Sequence, residues 1–217
     1  MFIGHYALGF GAKRMAPSVS LGTLFLACQF ADLLWPSLVM AGLERFEIDP
    51  GNTVVTPINF ISYPYSHSLM ALVVWAGVLA LVHRALRGST LGTASVLGGL
   101  VLSHWALDAL THRPDMPLTI VGTTRVGLGL WNDPRATIAL ESAMFAIGVG
   151  LYAWTTRSRD NVGGPALWLL VLFLAGLYAA NLTSPPPPSV AAVAWSAQAL
   201  WLVVVWGVWI DRHRQPT

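Results

Sequence analysis

The sequence predicts an all-α, polytopic membrane bundle with about six transmembrane helices and a short additional helix near the N-terminus. Three properties of the composition support this: 55% of the residues are hydrophobic, only 10% are charged, and the mean hydropathy is +0.61. Soluble domains carry roughly 25% charged residues. The ten tryptophans and twenty glycines fit as well, since Trp concentrates at membrane interfaces and Gly is tolerated in spanning helices.

Six stretches are apolar and long enough to cross a hydrocarbon core, which takes about 20 helical residues. Pro and Gly residues in the connecting segments separate them. We expect one transmembrane domain, residues 1–217, in which residues 1–156 carry the intramembrane ionisable side chains and residues 157–217 form two scaffold helices. The six stretches cover residues 19–42, 68–86, 91–110, 136–154, 165–182 and 190–210.

The twelve Lys and Arg residues are divided unequally between the two sides of a six-span arrangement: eight on the side of both termini, four on the other. Lys and Arg accumulate in cytoplasmic loops. We therefore expect an integral protein of a bacterial or archaeal inner membrane with both termini in the cytoplasm. The long loops at residues 43–67 and 111–135 would then be extracytoplasmic.

Several functions are disfavoured by the same sequence. The net charge of +2 and the scattered basic residues do not predict a nucleic-acid surface. Cys28 is the single cysteine, so neither an intramolecular disulfide nor a Cys-based zinc site can form. Neither a Gly-x-Ser-x-Gly motif nor a P-loop is present, which leaves covalent acyl transfer and nucleotide hydrolysis without support.

The most informative residues are ionisable side chains in or beside the apolar spans, because burying one there costs at least ~2.5–3.5 kcal/mol. They are all imidazoles or carboxylates, which together form the ligand set of zinc and similar divalent metals. We therefore predict a site for one or two divalent ions, with zinc as the expected metal. The residues are His5, Asp32, His67, His104, Asp108, His112 and Glu141.

The strongest local pattern places His104, Asp108 and His112 at positions i, i+4 and i+8, on nearly one face of a helix. His104 and Asp108 on adjacent turns can reach one ion. His112 would lie about 12 Å along the axis from His104, so we expect it to serve a second ion or to act from the helix end. The alternative is that all three are only hydrogen-bonded within the bundle.

Three further residues complete the predicted ligand set. His67 opens the second span, although an interfacial His at a helix start is an equal alternative for it alone. Asp32 has no Lys or Arg near it in sequence, so a metal is its expected partner. His5 lies in an apolar segment too short to span, which fits a re-entrant helix that turns near Pro17 and reaches the depth of Asp32. The alternative is a surface helix that leaves His5 uninvolved.

Glu141 and His112 are the predicted catalytic residues. Glu141 could bind metal, transfer protons or orient a ligating His. His112 is adjacent to the predicted ligands His5, Asp32, His67, His104 and Asp108.

Taken in chain order, these residues resemble the membrane-bound metal-dependent hydrolases, also called LexA-binding (YdjM-like) inner-membrane hydrolases. The resemblance covers about residues 1–115 and implies hydrolysis with a divalent metal. The His-x3-Asp spacing of His104 and Asp108 also resembles that of helical zinc phospholipases C and related nucleases. The residues that carry the family resemblance are Gly4-His5, Asp32, Ser66-His67-Ser68, Ser103-His104 and Asp108.

The chain departs from the family pattern at two positions. The acidic cluster around the first Asp is reduced to Asp32, and Tyr63-Pro64-Tyr65 replaces a His-Arg-Gly sequence. The expected function is a membrane-embedded hydrolase that acts through a metal-bound water on a lipid or lipid-linked phosphoester, with membrane lipid as its surroundings. The alternatives are a metal-ion or proton transporter, or a non-catalytic membrane scaffold.

Overall fold

A computed structural model describes all 217 residues and contains ten α-helices. Short loops and three small sheets connect them. The helices are α1 Ile3–Gly11, α2 Leu21–Cys28, α3 Phe30–Met40, α4 Pro64–His67, α5 Leu69–Arg87, α6 Leu91–Thr111, α7 Pro134–Thr155, α8 Gly163–Thr183, α9 Val190–Gln198 and α10 Leu200–Arg212.

Five helical segments are long and apolar enough to cross a membrane: α5, α6, α7, α8 and the α9–α10 pair, which together run Val190–Arg212. Between 17% and 33% of each segment is buried within the protein, so most of its apolar surface can face lipid. The bent pair α2 and α3 brings the count to six if it forms one span. The prediction of an all-α membrane bundle is therefore confirmed.

The first predicted span is broken. Helices α2 and α3 meet at Gln29 at an angle of 59°, where the sequence predicts one continuous helix over residues 19–42. Gln29 is fully buried, and interrupted helices are tolerated at membrane depth where protein surrounds the break. The break places Asp32 in the first turn of α3, so this carboxylate belongs to a second, differently directed helix.

Helix α1 lies inside the bundle, in contact with α2, α6 and α7. Seven of its nine residues are buried, including His5, Tyr6 and Phe10. A surface helix would expose one face, so the alternative that leaves His5 at the surface is wrong. The backbone of α1 approaches α7 so closely that a Cβ on Gly148 would collide with the Ala7 carbonyl.

The loops contain three two-stranded antiparallel sheets that the sequence pattern does not predict. Two of them lie in the predicted extracytoplasmic loops, where Trp35, Phe46, Tyr63 and Met116 form a small buried cluster. The third joins the segment after α7 to the end of the chain. The pairs are β1 Arg45–Ile48 with β2 Ile58–Ser62, β3 Met116–Pro117 with β4 Arg125–Val126, and β5 Thr156–Ser158 with β6 Arg214–Pro216.

A buried ion pair holds the opposite end of the bundle together. Lys13 Nζ lies 2.5 Å from Asp211 Oδ2, and the same carboxylate accepts hydrogen bonds from the Tyr152 hydroxyl and the Leu21 amide. These contacts tie the turn after α1 to α7 and to the end of α10. Lys13 is therefore neutralised by a carboxylate inside the protein.

Candidate metal centre

The five predicted metal ligands come from four helices and meet in one place. Their ligand atoms form two groups, each with all atoms within 4.8 Å of one another, and His104 belongs to both. The two groups are His5, His104 and Asp108, and Asp32, His67 and His104.

Asp108 lies between the imidazoles. Its Oδ1 is 3.0 Å from His5 Nε2, and its Oδ2 is 3.1 Å from His104 Nε2 and 3.9 Å from His67 Nε2. Its Oδ1 also lies 2.5 Å from the Met1 nitrogen. The His5 and His104 rings stack at 3.8 Å between centroids with an interplanar angle of 4°. Two stacked imidazolium ions would repel each other, so at least one of these rings is neutral.

Asp32 forms the open side of the site. Its Oδ1 is 3.4 Å from His67 Nε2 and 3.7 Å from His104 Nε2. The Asp32 side chain is 25% exposed, whereas that of Asp108 is 4% exposed. A molecule that reaches the site from outside would therefore meet Asp32 first.

His104 has the surroundings expected of a metal ligand. Its Nδ1 lies 2.8 Å from the Cys28 carbonyl oxygen, which can only accept, so Nδ1 carries a proton and donates it. In the neutral ring Nε2 then presents a lone pair. This buried Nε2 has no hydrogen-bond partner although two carboxylates lie within 4 Å. A cation between these atoms would satisfy all three groups, so the residues fit a divalent ion.

His67 is held from behind by a chain of two hydrogen bonds. The Ser66 hydroxyl lies 2.6 Å from Glu44 Oε2 and 2.6 Å from His67 Nδ1. An ionised carboxylate can only accept, so Ser66 donates to Glu44 and accepts from His67 Nδ1–H. His67 Nε2 is then free to face Asp32. No local sequence pattern marks buried Glu44; Ser66, next to His67, is the available signal for support behind this ring.

His5 lacks such support, because its buried Nδ1 has no hydrogen-bond partner. The position of the ring depends instead on helix α1, whose start is held by Glu141. Glu141 Oε2 accepts hydrogen bonds from the Phe2 amide at 2.8 Å and the Gly4 amide at 3.1 Å. Glu141 is not in either ligand group, and these contacts favour an orienting role. Its predicted catalytic role stays a prediction.

His112 lies beside the ligand groups at the end of α6. The backbone leaves the helix at this residue, with φ −65° and ψ 150°, and Nε2 comes within 4.0 Å of Asp108 Oδ2. Its Nδ1 lies 3.0 Å from Asp115 Oδ1, which also accepts from the Tyr63 hydroxyl at 2.8 Å. Burial lowers the pKa of His112. The neutral ring donates to Asp115 and directs the Nε2 lone pair toward the site.

A cavity of about 380 Å³ opens beside Asp32 between α3, α8 and α9. Glu141 and Trp131 also line it, and the Trp131 ring packs on His112 at 4.2 Å between centroids. Many of its other walls are apolar and come from residues after Arg157, for which the sequence predicts only scaffold helices. Among them are Leu177, Tyr178, Leu182, Val193, Ala197 and Leu200.

Comparisons of the chain with family models, curated proteins and solved structures found no significant match.

Proposed function

We propose that this integral membrane protein is a metal-dependent hydrolase that cleaves a lipid or lipid-linked phosphoester. The observation that carries the proposal is the convergence of three imidazoles on Asp32 and Asp108, with His104 and His67 each donating from Nδ1 to a buried acceptor. Buried charges persist when they are paired or coordinate a metal. Zinc suits a set of His and Asp ligands.

A bound divalent ion would act as a Lewis acid and lower the pKa of a coordinated water toward neutrality. Asp108 and His104 would hold the buried side of such a site, and the more exposed Asp32 would hold the side next to the substrate. His112 is suited to move a proton at Nε2, because Asp115 fixes the other ring nitrogen as the donor.

The cavity beside Asp32 supports a substrate with an apolar chain, since its volume is in the range of ligand pockets and most of its walls are apolar. Asp32 and Glu141 are the only charged side chains that line it, and the Met1 amino group in the same lining is already paired with Asp108. The negative charge of a phosphoester would therefore have to be balanced by the metal, which favours two ions over one. His104 offers only Nε2 as a ligand atom, so the two ligand groups compete for it, and a second ion would have to be held either by Asp32 and His67 or by His5 and Asp108.

The proposed orientation follows from the distribution of basic residues. With both termini in the cytoplasm of a bacterial or archaeal cell, the metal centre and sheets β1–β2 and β3–β4 would lie toward the extracytoplasmic leaflet. Transport is less well supported. Five residues after His5 on α1, the buried ring of Phe10 packs edge to face on Phe25 and Phe145. This packing offers no ionisable groups for a continuous path.

A hydrolysis assay tests the proposal. The substrate is a chromogenic phosphodiester with a long alkyl chain in mixed micelles, and the variants are Asp108→Asn and the surface control Asp160→Asn. We expect the zinc-loaded wild type and Asp160→Asn to release the chromophore, and EDTA treatment or Asp108→Asn to reduce release to background. Release that survives both treatments, or none from the zinc-loaded wild type, would contradict the proposed reaction.

A further inference from the structure

A second and larger cavity, about 810 Å³, lies on the flank of the bundle away from the cavity at Asp32. Helices α6 and α7 form its walls and α1 its floor, so we call it the flank groove. Ser95 and Gly99 of α6 are exposed along one wall, and Ile147 and Leu151 of α7 line the other. Both wall helices are candidate spans, so the groove faces the hydrocarbon of the membrane.

One end of the flank groove carries a free positive charge. Arg14 lines the groove, is exposed, and makes no hydrogen bond or ion pair with the protein. Its guanidinium carbon lies 5.1 Å from the centroid of the Trp154 ring, and Trp is typical of the membrane interface. The neighbouring Lys13 is already paired with Asp211. Arg14 is the only charged residue that lines the groove.

We propose that the flank groove binds one hydrocarbon chain of an anionic phospholipid, with the lipid phosphate at Arg14. An apolar channel with a single cation at its interfacial end is complementary to an apolar chain with a single anionic head group. A protein partner is a poorer fit, since fifteen residues line the groove and a stable protein interface takes about 20–30 residues from each side.

The flank groove and the cavity at Asp32 share no lining residue. The groove is nevertheless lined by residues close in sequence to two of the predicted metal ligands. Its floor includes Ala7, two residues after His5, and its wall includes Ser103, which precedes His104. A lipid chain in the groove would therefore pack on both helices that carry these imidazoles. The proposal needs neither a metal nor hydrolysis, because it rests on α1, α6 and α7 alone.

Native mass spectrometry in detergent can test the lipid site with equal amounts of phosphatidylglycerol and phosphatidylcholine. The matched variants are Gly99→Leu in the groove and Gly77→Leu on α5, since an added Cβ at either glycine meets no atom within 4 Å. We expect one tightly retained phosphatidylglycerol in the wild type and Gly77→Leu. Gly99→Leu should weaken retention about tenfold, the equivalent of roughly two methylenes no longer buried.

Substituting the cation tests the head group separately. Arg14→Gln should lower the preference for phosphatidylglycerol over phosphatidylcholine by roughly fivefold, since one basic residue near the surface contributes about that factor. Equal retention of both lipids by the wild type would contradict the proposed preference for an anionic head group.

Wild-type lipid retention by folded Gly99→Leu would overturn the groove as the binding site. The lipid proposal would also be contradicted if the wild type were a dimer and Gly99→Leu were a monomer, because a second copy of the chain would then occupy the groove. If Gly99→Leu does not fold, Ser95→Leu on the same wall replaces it, and wild-type retention by folded Ser95→Leu would be equally contradictory.

Discussion

At the scale of single residues, His104 and His67 are oriented by acceptors of different kinds. The Cys28 carbonyl accepts from His104 Nδ1, and side-chain replacement cannot remove a backbone carbonyl. The Ser66 hydroxyl accepts from His67 Nδ1 and can be removed by substitution. His67 is therefore the position at which support behind a proposed ligand can be tested without changing the ligand.

Ser66→Ala should weaken zinc binding about 10- to 100-fold, which is the usual effect of removing the partner of a ligating His. Zinc titration of the purified protein, monitored by calorimetry, measures the change. The control is Ser68→Ala, on the other side of His67, whose hydroxyl accepts from the Ala71 amide at the start of α5. Ser68→Ala should lower stability by about 1 kcal/mol and leave zinc affinity unchanged. Equal zinc affinities for wild type and Ser66→Ala would contradict the orienting role.

The sequence is sufficient to nominate His104 and Asp108, because helical periodicity alone places them on adjacent turns of one face. Periodicity also predicts that His112 lies one turn beyond Asp108, and it is found at the end of α6 with Nε2 4.0 Å from Asp108 Oδ2. Glu44, in contrast, is missed. It reaches Ser66 across the β1–β2 hairpin, and the path of a loop is not encoded in any local period.

At the scale of elements, three short helices bring ligands to α6, and one of them, α4, supplies His67. Helix α1 supplies His5, and α3, redirected by the break at Gln29, supplies Asp32. Apolar length predicts a re-entrant α1 because the segment is too short to span. It does not predict the break, since Gln29 is flanked by neither Gly nor Pro and the hydropathy stays high across it.

The contribution of the Glu141 hydrogen bonds to the stability of the start of α1 can be measured directly. Glu141→Ala leaves the Phe2 and Gly4 amides without their acceptor, which should cost about 1–3 kcal/mol of stability. Thermal unfolding in detergent measures the loss, and amide hydrogen exchange should rise at residues 2–5. Glu47→Ala on exposed β1 is the control and should unfold like the wild type. Unchanged exchange in Glu141→Ala would contradict the orienting role.

At the scale of the whole molecule, the two ends of the bundle differ in chemistry. One end gathers the imidazoles and carboxylates beneath two small sheets, and the other is tied by Lys13, Asp211 and Tyr152. The groups Lys13, Asp211 and Tyr152 of the second end already have partners inside the protein. At the first end, buried nitrogens of His5 and His104 have no hydrogen-bond partner. This difference supports the proposed metal site over the alternative that the polar groups only hold the helices together.

The metal content of the purified protein tests this account most directly. Inductively coupled plasma mass spectrometry after zinc exposure and desalting should find at least one zinc per wild-type chain. His104→Ala and Asp108→Ala should each lose it, because His104 belongs to both ligand groups and Asp108 lies between the imidazoles. His83→Ala on α5, outside the site, should keep it. A folded wild-type protein that remains free of metal, or variants that bind as much as the wild type, would contradict the metal centre.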